Sequence, residues 1–265
     1  MKTALITGVS GGMGYATLKE LVNQGYEVYG LDIHPTDEFD HFHFYQTDIR
    51  SEQSIIDTFN KIKETGITFD FIIHLAGIYS LNSLVEMPES DYQRIYDINV
   101  NGVYRINKIF LPLLNKGGKI FIITSELAAL DPLPFTGIYG ITKAALDKYA
   151  YSLRMELQLL DYQVVVIRPG AVSTDLLDNS TRELDKFTKE TKLYSYNAAR
   201  FKEIVDKVES KKISPQKIAE LIYKISNKKK PRYVYNINRN PGLILLSVLP
   251  KRLQNYIIKK ILVSK

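Results

Sequence analysis

Tyr139 and Lys143 stand four residues apart in the run Tyr139-Gly140-Ile141-Thr142-Lys143. That spacing puts two side chains on one face of a helix. A phenol beside an ammonium can exchange a proton with a bound molecule if the ammonium makes the phenol acidic enough. Bringing a phenol from a pKa of about 10 to about 7 takes roughly 4 kcal/mol, at about 1.36 kcal/mol per unit. One ammonium about 4 Å away contributes on the order of 4 kcal/mol at an effective dielectric near 20. At longer separations a second positive charge has to supply the rest. Tyrosine and lysine at this spacing also occur by chance on many helices, so the pair informs only through its company.

The first company is a glycine-rich turn. An apolar run, Ala4-Leu5-Ile6, leads into Gly8-Val9-Ser10-Gly11-Gly12-Met13-Gly14 and then a helical pattern. Glycines there let backbone N–H groups approach a pyrophosphate at a helix N-terminus, where the helix dipole favours anions. Alone such a loop is only a turn; directly after a first strand it points to a dinucleotide. Asp32 follows 18 residues after Gly14, at the end of the second apolar run. A carboxylate at that place can accept hydrogen bonds from ribose hydroxyls and repels a 2′-phosphate. Its neighbours Leu31, Ile33 and His34 include no Arg or Lys to offset the repulsion. NAD is therefore expected as the cofactor, in preference to NADP, and the oxidised nicotinamide would supply the second positive charge near Tyr139.

These groups need a scaffold, and the pattern of apolar residues specifies one. Strands are expected at 4–7, 27–31, 42–45, 69–75, 119–124 and 163–168, with a later one at 232–235. Helices are expected at 12–24, 52–65, 91–114, 139–161 and 215–226, the last opened by Ser214-Pro215. The alternation implies an α/β fold, a doubly wound parallel sheet with helices on both faces, in a single domain over 1–265. Residues 178–212 interrupt the alternation with a polar stretch rich in Lys and Tyr. It reads either as a cover over a ligand crevice or as a solvated helix pair.

Composition excludes several alternatives. With 45% hydrophobic and 24% charged residues the chain can fill a core, and with no cysteine it makes no disulfide. No secretory signal or spanning run is evident, so a cytoplasmic location is the default. Of the 35 basic residues, ten lie from Lys228 onward, where there is no acidic residue, so the preceding part is net acidic. Residues 242–249 are almost wholly apolar, and 252–263 read as a basic amphipathic helix. Three fates are open to this tail near 240–265: roofing the cleft of its own subunit, forming an oligomer interface, or lying peripherally on the inner face of an anionic membrane. No nucleic-acid reading motif accompanies the charge.

Taken in order, Thr7-Gly8…Gly12-x-Gly14, Asp48, Ala76-Gly77, Asn99-Val100-Asn101-Gly102, Ser125, Tyr139…Lys143 and Arg168-Pro169-Gly170…Thr174 resemble the short-chain dehydrogenase/reductase family over residues 3–175. The resemblance implies a Rossmann-like fold, a homo-oligomer, and an oxidoreductase that moves a hydride between NAD(P) and a secondary alcohol or ketone. The apolar tail suggests a lipophilic substrate. By the resemblance Tyr139 is the general acid/base and Lys143 lowers its pKa and holds the nicotinamide ribose. Ser125 binds the substrate oxygen, and Asn99 anchors a water linking Lys143 to solvent. Besides Gly8, Ser10, Gly11, Gly12, Met13, Gly14, Ala76 and Gly77, the cofactor is expected to meet Asp48 and Ile49 at its adenine. Pro169, Gly170, Val172 and Thr174 are expected at its carboxamide. No metal is implied.

Two departures stand out. In the family's single-domain branch the serine usually lies 13 residues before the tyrosine; here that slot holds Glu126 and Ser125 lies one further back. Thr124 could take the role only if the loop over 127–136 shifts. Where the family has Asn-Asn-Ala-Gly this chain has His74-Leu75-Ala76-Gly77, and its glycines also fit the longer epimerase/dehydratase branch. His74 is expected to support a strand end. The alternatives to hydride transfer are an epimerase or dehydratase with bound NAD and a non-catalytic NAD(P)-binding sensor. Residues 78–90, 127–137 and 178–212 are expected to line the substrate pocket.

Overall fold

The computed structural model describes residues 1–209 and 211–263, with the backbone alone over 175–182 and 208–209. Seven strands form one parallel sheet: β1 Thr3–Thr7, β2 Glu27–Asp32, β3 Phe42–Gln46, β4 Phe69–His74, β5 Leu114–Ile123, β6 Gln163–Pro169 and β7 Val234–Ile237. Their order is β3-β2-β1-β4-β5-β6-β7, so the chain reverses its direction of travel across the sheet between β1 and β4. The helices are α1 Gly12–Asn23, α2 Glu52–Glu64, α3 Glu89–Tyr96, α4 Gly102–Phe110, α5 Gly137–Leu157, α6 Asp175–Glu190, α7 Ser195–Glu209, α8 Pro215–Ser226, α9 Pro241–Ser247 and α10 Lys251–Val263.

Both faces of the sheet are buried, which is why its strands are continuous apolar runs. Successive strand residues alternate between faces. Leu5, Ile72, Ile120, Ile122, Val164 and Val166 pack on one side with α2, α4 and α5. Ile6, Phe71, Ile73, Phe121, Val165 and Ile167 pack on the other with α1 and α8. Each central strand thus ties the two helical layers together.

The expected elements are present, with differences in three regions besides small shifts of element ends. The single helix anticipated over 91–114 is broken. A π-helical turn over Asp97–Asn101 separates α3 from α4, and Pro112, which lacks an N–H, ends the helix in a short 3-10 turn. Strand β5 begins at Leu114, with a register shift before Lys119. Strand β7 lies two residues beyond the expected start and end.

Residues beyond Thr174 build a third, smaller core. Leu184 and Phe187 of α6, Ala198 and Phe201 of α7, Phe135, Leu81 and Leu262 of α10 pack together. The helix pair is therefore amphipathic cover, not a solvated excursion. One face of the tail packs on its own subunit, where Asn197 donates to the Leu262 carbonyl and Lys251 pairs with Asp131, while buried Gln254 joins α10 to α9 by donating to the carbonyls of Ser247 and Leu249. Leu253, Tyr256 and Val263 remain exposed on its outer face. Among the described residues no helix is long and apolar enough to cross a membrane.

Candidate active site

The turns after β1 and β4 meet where the strand order reverses, the place at which open parallel sheets leave a crevice. Gly8 adopts φ 73°, and a Cβ there would lie 2.5 Å from the Ala76 backbone. A Cβ on Gly14 would lie 1.9 Å from the Gly8 carbonyl. Only glycine permits these two approaches. At Gly11, by contrast, a Cβ would meet only the Gly8 carbonyl, at 3.6 Å. The N-terminus of α1 carries no side-chain cap, so its first-turn N–H groups face that open space. A narrow backbone cradle at an uncapped helix start suits a pyrophosphate. Thr174 closes over the same turn, its Cγ2 2.8 Å from where a Gly12 Cβ would be.

Asp32 ends β2 beside this cradle. Its Oδ2 accepts from the Ser10 N–H at 3.1 Å and its Oδ1 from the His34 N–H at 3.1 Å. The carboxylate is thereby fixed at the rim of the glycine turn. Asp48 and Ile49 are placed differently from one another. Asp48 is gripped by the Arg50 guanidinium at 2.7 Å, which holds its carboxyl below the usual range. Ile49 is buried against Gly102. Ile49 thus forms apolar wall, while Asp48 serves its own loop.

A cavity of about 170 Å3 opens from the cradle along the carboxyl ends of β4, β5 and β6. Met13, Gly77, Pro169, Gly170, Val172 and Thr174 line it on the cofactor side, and Ser125, Tyr139 and Lys143 reach it from the centre. Residues separated by more than 160 positions in sequence therefore converge on one site. The residues expected to bind a dinucleotide fit one: glycine cradle, fixed ribose-side carboxylate, and a continuous crevice to the reactive groups.

Tyr139 sits in the first turn of α5, which starts two residues earlier than expected, and Lys143 lies one turn on. Arg168 on β6 holds Asp147 of the same helix with two hydrogen bonds, at 2.8 and 2.6 Å, and so pins α5 to the sheet. Thr124 donates to that same Asp147 and is thus unavailable to substitute for Ser125. Ser125 hydrogen-bonds Tyr139 and accepts from the Leu127 N–H at 3.2 Å, starting the 3-10 turn Glu126–Ala129. That turn, with Phe135 at φ 63°, takes up the extra residue between Ser125 and Tyr139. A non-glycine residue at positive φ is strained. The Phe135 ring offsets this by packing 5.1 to 5.4 Å from the rings of Phe187, Tyr194 and Phe201.

Asn99 lies in the π-helical turn. Its side chain grips the backbone of Ile78 in both directions at 2.9 Å and donates to Thr142 at 3.1 Å. The break in the expected long helix thus aims an amide at the loop after β4. Lys143 does not bond to it; its Nζ donates to the Ile123 carbonyl at 3.1 Å and lies 5.6 Å from the Tyr139 ring centre.

Lys143 and the oxidised nicotinamide together are expected to acidify Tyr139; with the protein's own groups alone, burial pushes the phenol up to about 12, opposed by the hydrogen bond with Ser125. Burial pulls the Lys143 ammonium down to about 8. The ammonium is directed to the Ile123 carbonyl and to the face of the Tyr139 ring. Protein groups alone therefore hold Tyr139 neutral.

His74 takes no part. It is buried, its Nε2 meets Asn107 Oδ1 at 2.8 Å, and desolvation lowers its pKa to about 4. It supports the end of β4, as expected. The expected lining segments contribute Ile78, Leu127, Leu133, Phe201, Ile204 and Val205. Tyr79, also in an expected lining segment, stands with its ring edge-on 4.3 Å from that of Tyr139, and Leu243 of α9 closes the cavity from the tail. The spacing of Phe201, Ile204 and Val205 is helical and is a readable signal; the edge-on contact of Tyr79 with Tyr139 carries none.

Comparison with known proteins agrees with this geometry. A family model described as short chain dehydrogenase matches residues 2–185. A 3-ketodihydrosphingosine reductase of Bacteroides thetaiotaomicron is 28% identical, over 86% of this chain and 85% of that protein. An NADPH-dependent 1-acyldihydroxyacetone phosphate reductase of Saccharomyces cerevisiae is 28% identical, over 75% of this chain and 68% of that protein. The crystal structure of a short chain dehydrogenase family protein from Francisella tularensis superposes with a TM-score of 0.74 at 25% identity, covering 89% of this chain and 96% of that one.

Proposed function

The chain belongs to the short-chain dehydrogenase/reductase family, and we propose that it is an NAD-preferring enzyme that interconverts a lipophilic ketone and its secondary alcohol, with Tyr139 as general acid/base. The observation that carries this reading is the convergence of Ser125, Tyr139 and Lys143 on one cavity continuous with the glycine cradle. Bound NAD(P) supplies the hydride chemistry. Ser125 and Tyr139 together hold the substrate oxygen, and the neutral phenol donates its proton to that oxygen as a ketone is reduced. A phenol raised by burial favours this direction, and both relatives described above are named as reductases. Lys143, buried at the same wall, places a positive charge beside the cofactor's ribose. The apolar walls from Leu127, Leu133, Phe201, Ile204, Val205 and Leu243 exclude water and accept an aliphatic substituent. Preference for NAD rests on Asp32, fixed at the rim of the cradle by Ser10 and His34, where a 2′-phosphate would meet like charge.

The test is Tyr139→Phe, assayed for turnover of medium-chain ketones and for NADH binding by fluorescence. Turnover falls by at least about a thousandfold, within the range expected for losing a positioned proton donor, while cofactor affinity is retained. Full activity in the variant would remove the assigned mechanism.

A further inference from the structure

Glu126 occupies the slot after Ser125 and lines the same cavity. It is only 6% exposed. Its Oε2 accepts from the Asn240 N–H at 2.7 Å, which ties the start of α9 to the catalytic loop. Its Oε1 has no hydrogen-bond partner among the described residues. That oxygen lies 3.0 Å from where a Cβ on residue 170 would be, so Gly170 leaves it room. No ion pair within 4 Å joins Glu126 to a cation among the described residues. Lys143 is given to the Ile123 carbonyl. Arg239 draws on Glu126 by charge without contact, its own Nε buried and unpartnered. The rest of the cavity wall is largely apolar, and Lys143 is the only cation among the residues that line it.

A buried carboxylate with one free oxygen and no partner cation is costly unless something it binds supplies the charge. Burial raises its pKa, as that cost requires. Glu126 immediately follows Ser125, and both line one cavity with Tyr139. A group bound by Glu126 therefore shares that cavity with the oxygen held by Ser125 and Tyr139. We propose that Glu126 binds an ammonium carried by the substrate near the reacting carbon, with the aliphatic remainder along the cavity walls from α7 and α9. The substrate class is then a lipophilic amino ketone and the corresponding amino alcohol. This rests on the hydride-transfer reading above.

The discriminating variant is Glu126→Gln, because a glutamine oxygen still accepts from Asn240 while the charge is lost. The probes are 3-octanol and 2-amino-3-octanol, identical in chain and differing in the ammonium. With NAD present, wild-type enzyme prefers the amino alcohol by about 30-fold or more in kcat/KM, the size expected for a desolvated charge pair. The difference lies in KM. Glu126→Gln loses the preference, its effect falling on the amino alcohol at least about tenfold more than on 3-octanol. Calorimetric binding of both probes to the NAD-loaded Tyr139→Phe protein, with and without Glu126→Gln, gives the same comparison without turnover. Equal binding of the two probes, binding of neither, or a Glu126→Gln effect equal on both would overturn the proposal and leave Glu126 as a clamp on α9. Turnover of either probe by Tyr139→Phe would instead overturn the hydride-transfer reading itself.

Discussion

Replacing Lys143 by methionine should make the cofactor-free protein more stable while ending its catalysis. Lys143 is only 7% exposed, and burial lowers the pKa of its ammonium from 10.5 to about 8. At about 1.36 kcal/mol per unit, keeping the group charged in the folded state costs about 3 kcal/mol at pH 7. Methionine of similar length removes that cost and forfeits the hydrogen bond to the Ile123 carbonyl, worth about 2 kcal/mol for a charged donor. The net expectation is a gain of about 1 kcal/mol, or a rise in Tm of about 2–4 °C for a chain of this size. The sign depends on pH. A lysine whose folded pKa is depressed is a full liability below about 8, and the liability disappears as pH rises toward 10.5, where the unfolded chain also loses the proton. The advantage of Lys143→Met should therefore shrink above pH 8 and reverse near pH 10, where only the lost hydrogen bond remains. Urea unfolding of both proteins at pH 7, 8.5 and 10 measures this. A variant less stable than wild type at pH 7, or a difference independent of pH, would refute the reasoning. Such trade-offs of stability for function are common at active sites.

The remaining expectations concern the same site. Because burial holds the Tyr139 phenol neutral, ketone reduction should be nearly flat from pH 6 to 9. Alcohol oxidation, which needs the phenolate, should climb by up to about tenfold per unit; an oxidation plateau at or below pH 7 would contradict this. His74 is neutral when folded, with its pKa lowered from 6.5 to about 4. The unfolded chain therefore binds its proton first as the solution is acidified, and about 3 kcal/mol of stability is lost between pH 6.5 and 4. His74→Gln should flatten the stability profile there by about one proton, as followed by urea titration. Asp32→Ala should lower the ratio of kcat/KM with NAD to that with NADP by at least about tenfold; an unchanged ratio would leave the preference to other residues.

Much of this protein was legible in its residues alone, for a physical reason. A parallel sheet buried on both faces demands continuous apolar strands, and a helix start that approaches a phosphate demands glycines, so both leave local marks. The order of strands and helices, the cradle from Gly8 to Gly14, and the pairing of Tyr139 with Lys143 on α5 were visible in that way. What depends on direction was not. Only the tertiary structure sends the Lys143 ammonium to a carbonyl of β5, breaks the helix at Asp97–Asn101 to aim Asn99 at Ile78, and turns Thr124 toward Asp147. The tail is the plainest case. Its sequence fits a membrane surface, a subunit interface or a roof equally well, since amphipathicity specifies that one face be buried but not against what. Only the tertiary structure shows one face of it packed on the subunit itself, Leu262 against α7 and Leu243 at the cavity, with Leu253, Tyr256 and Val263 turned outward.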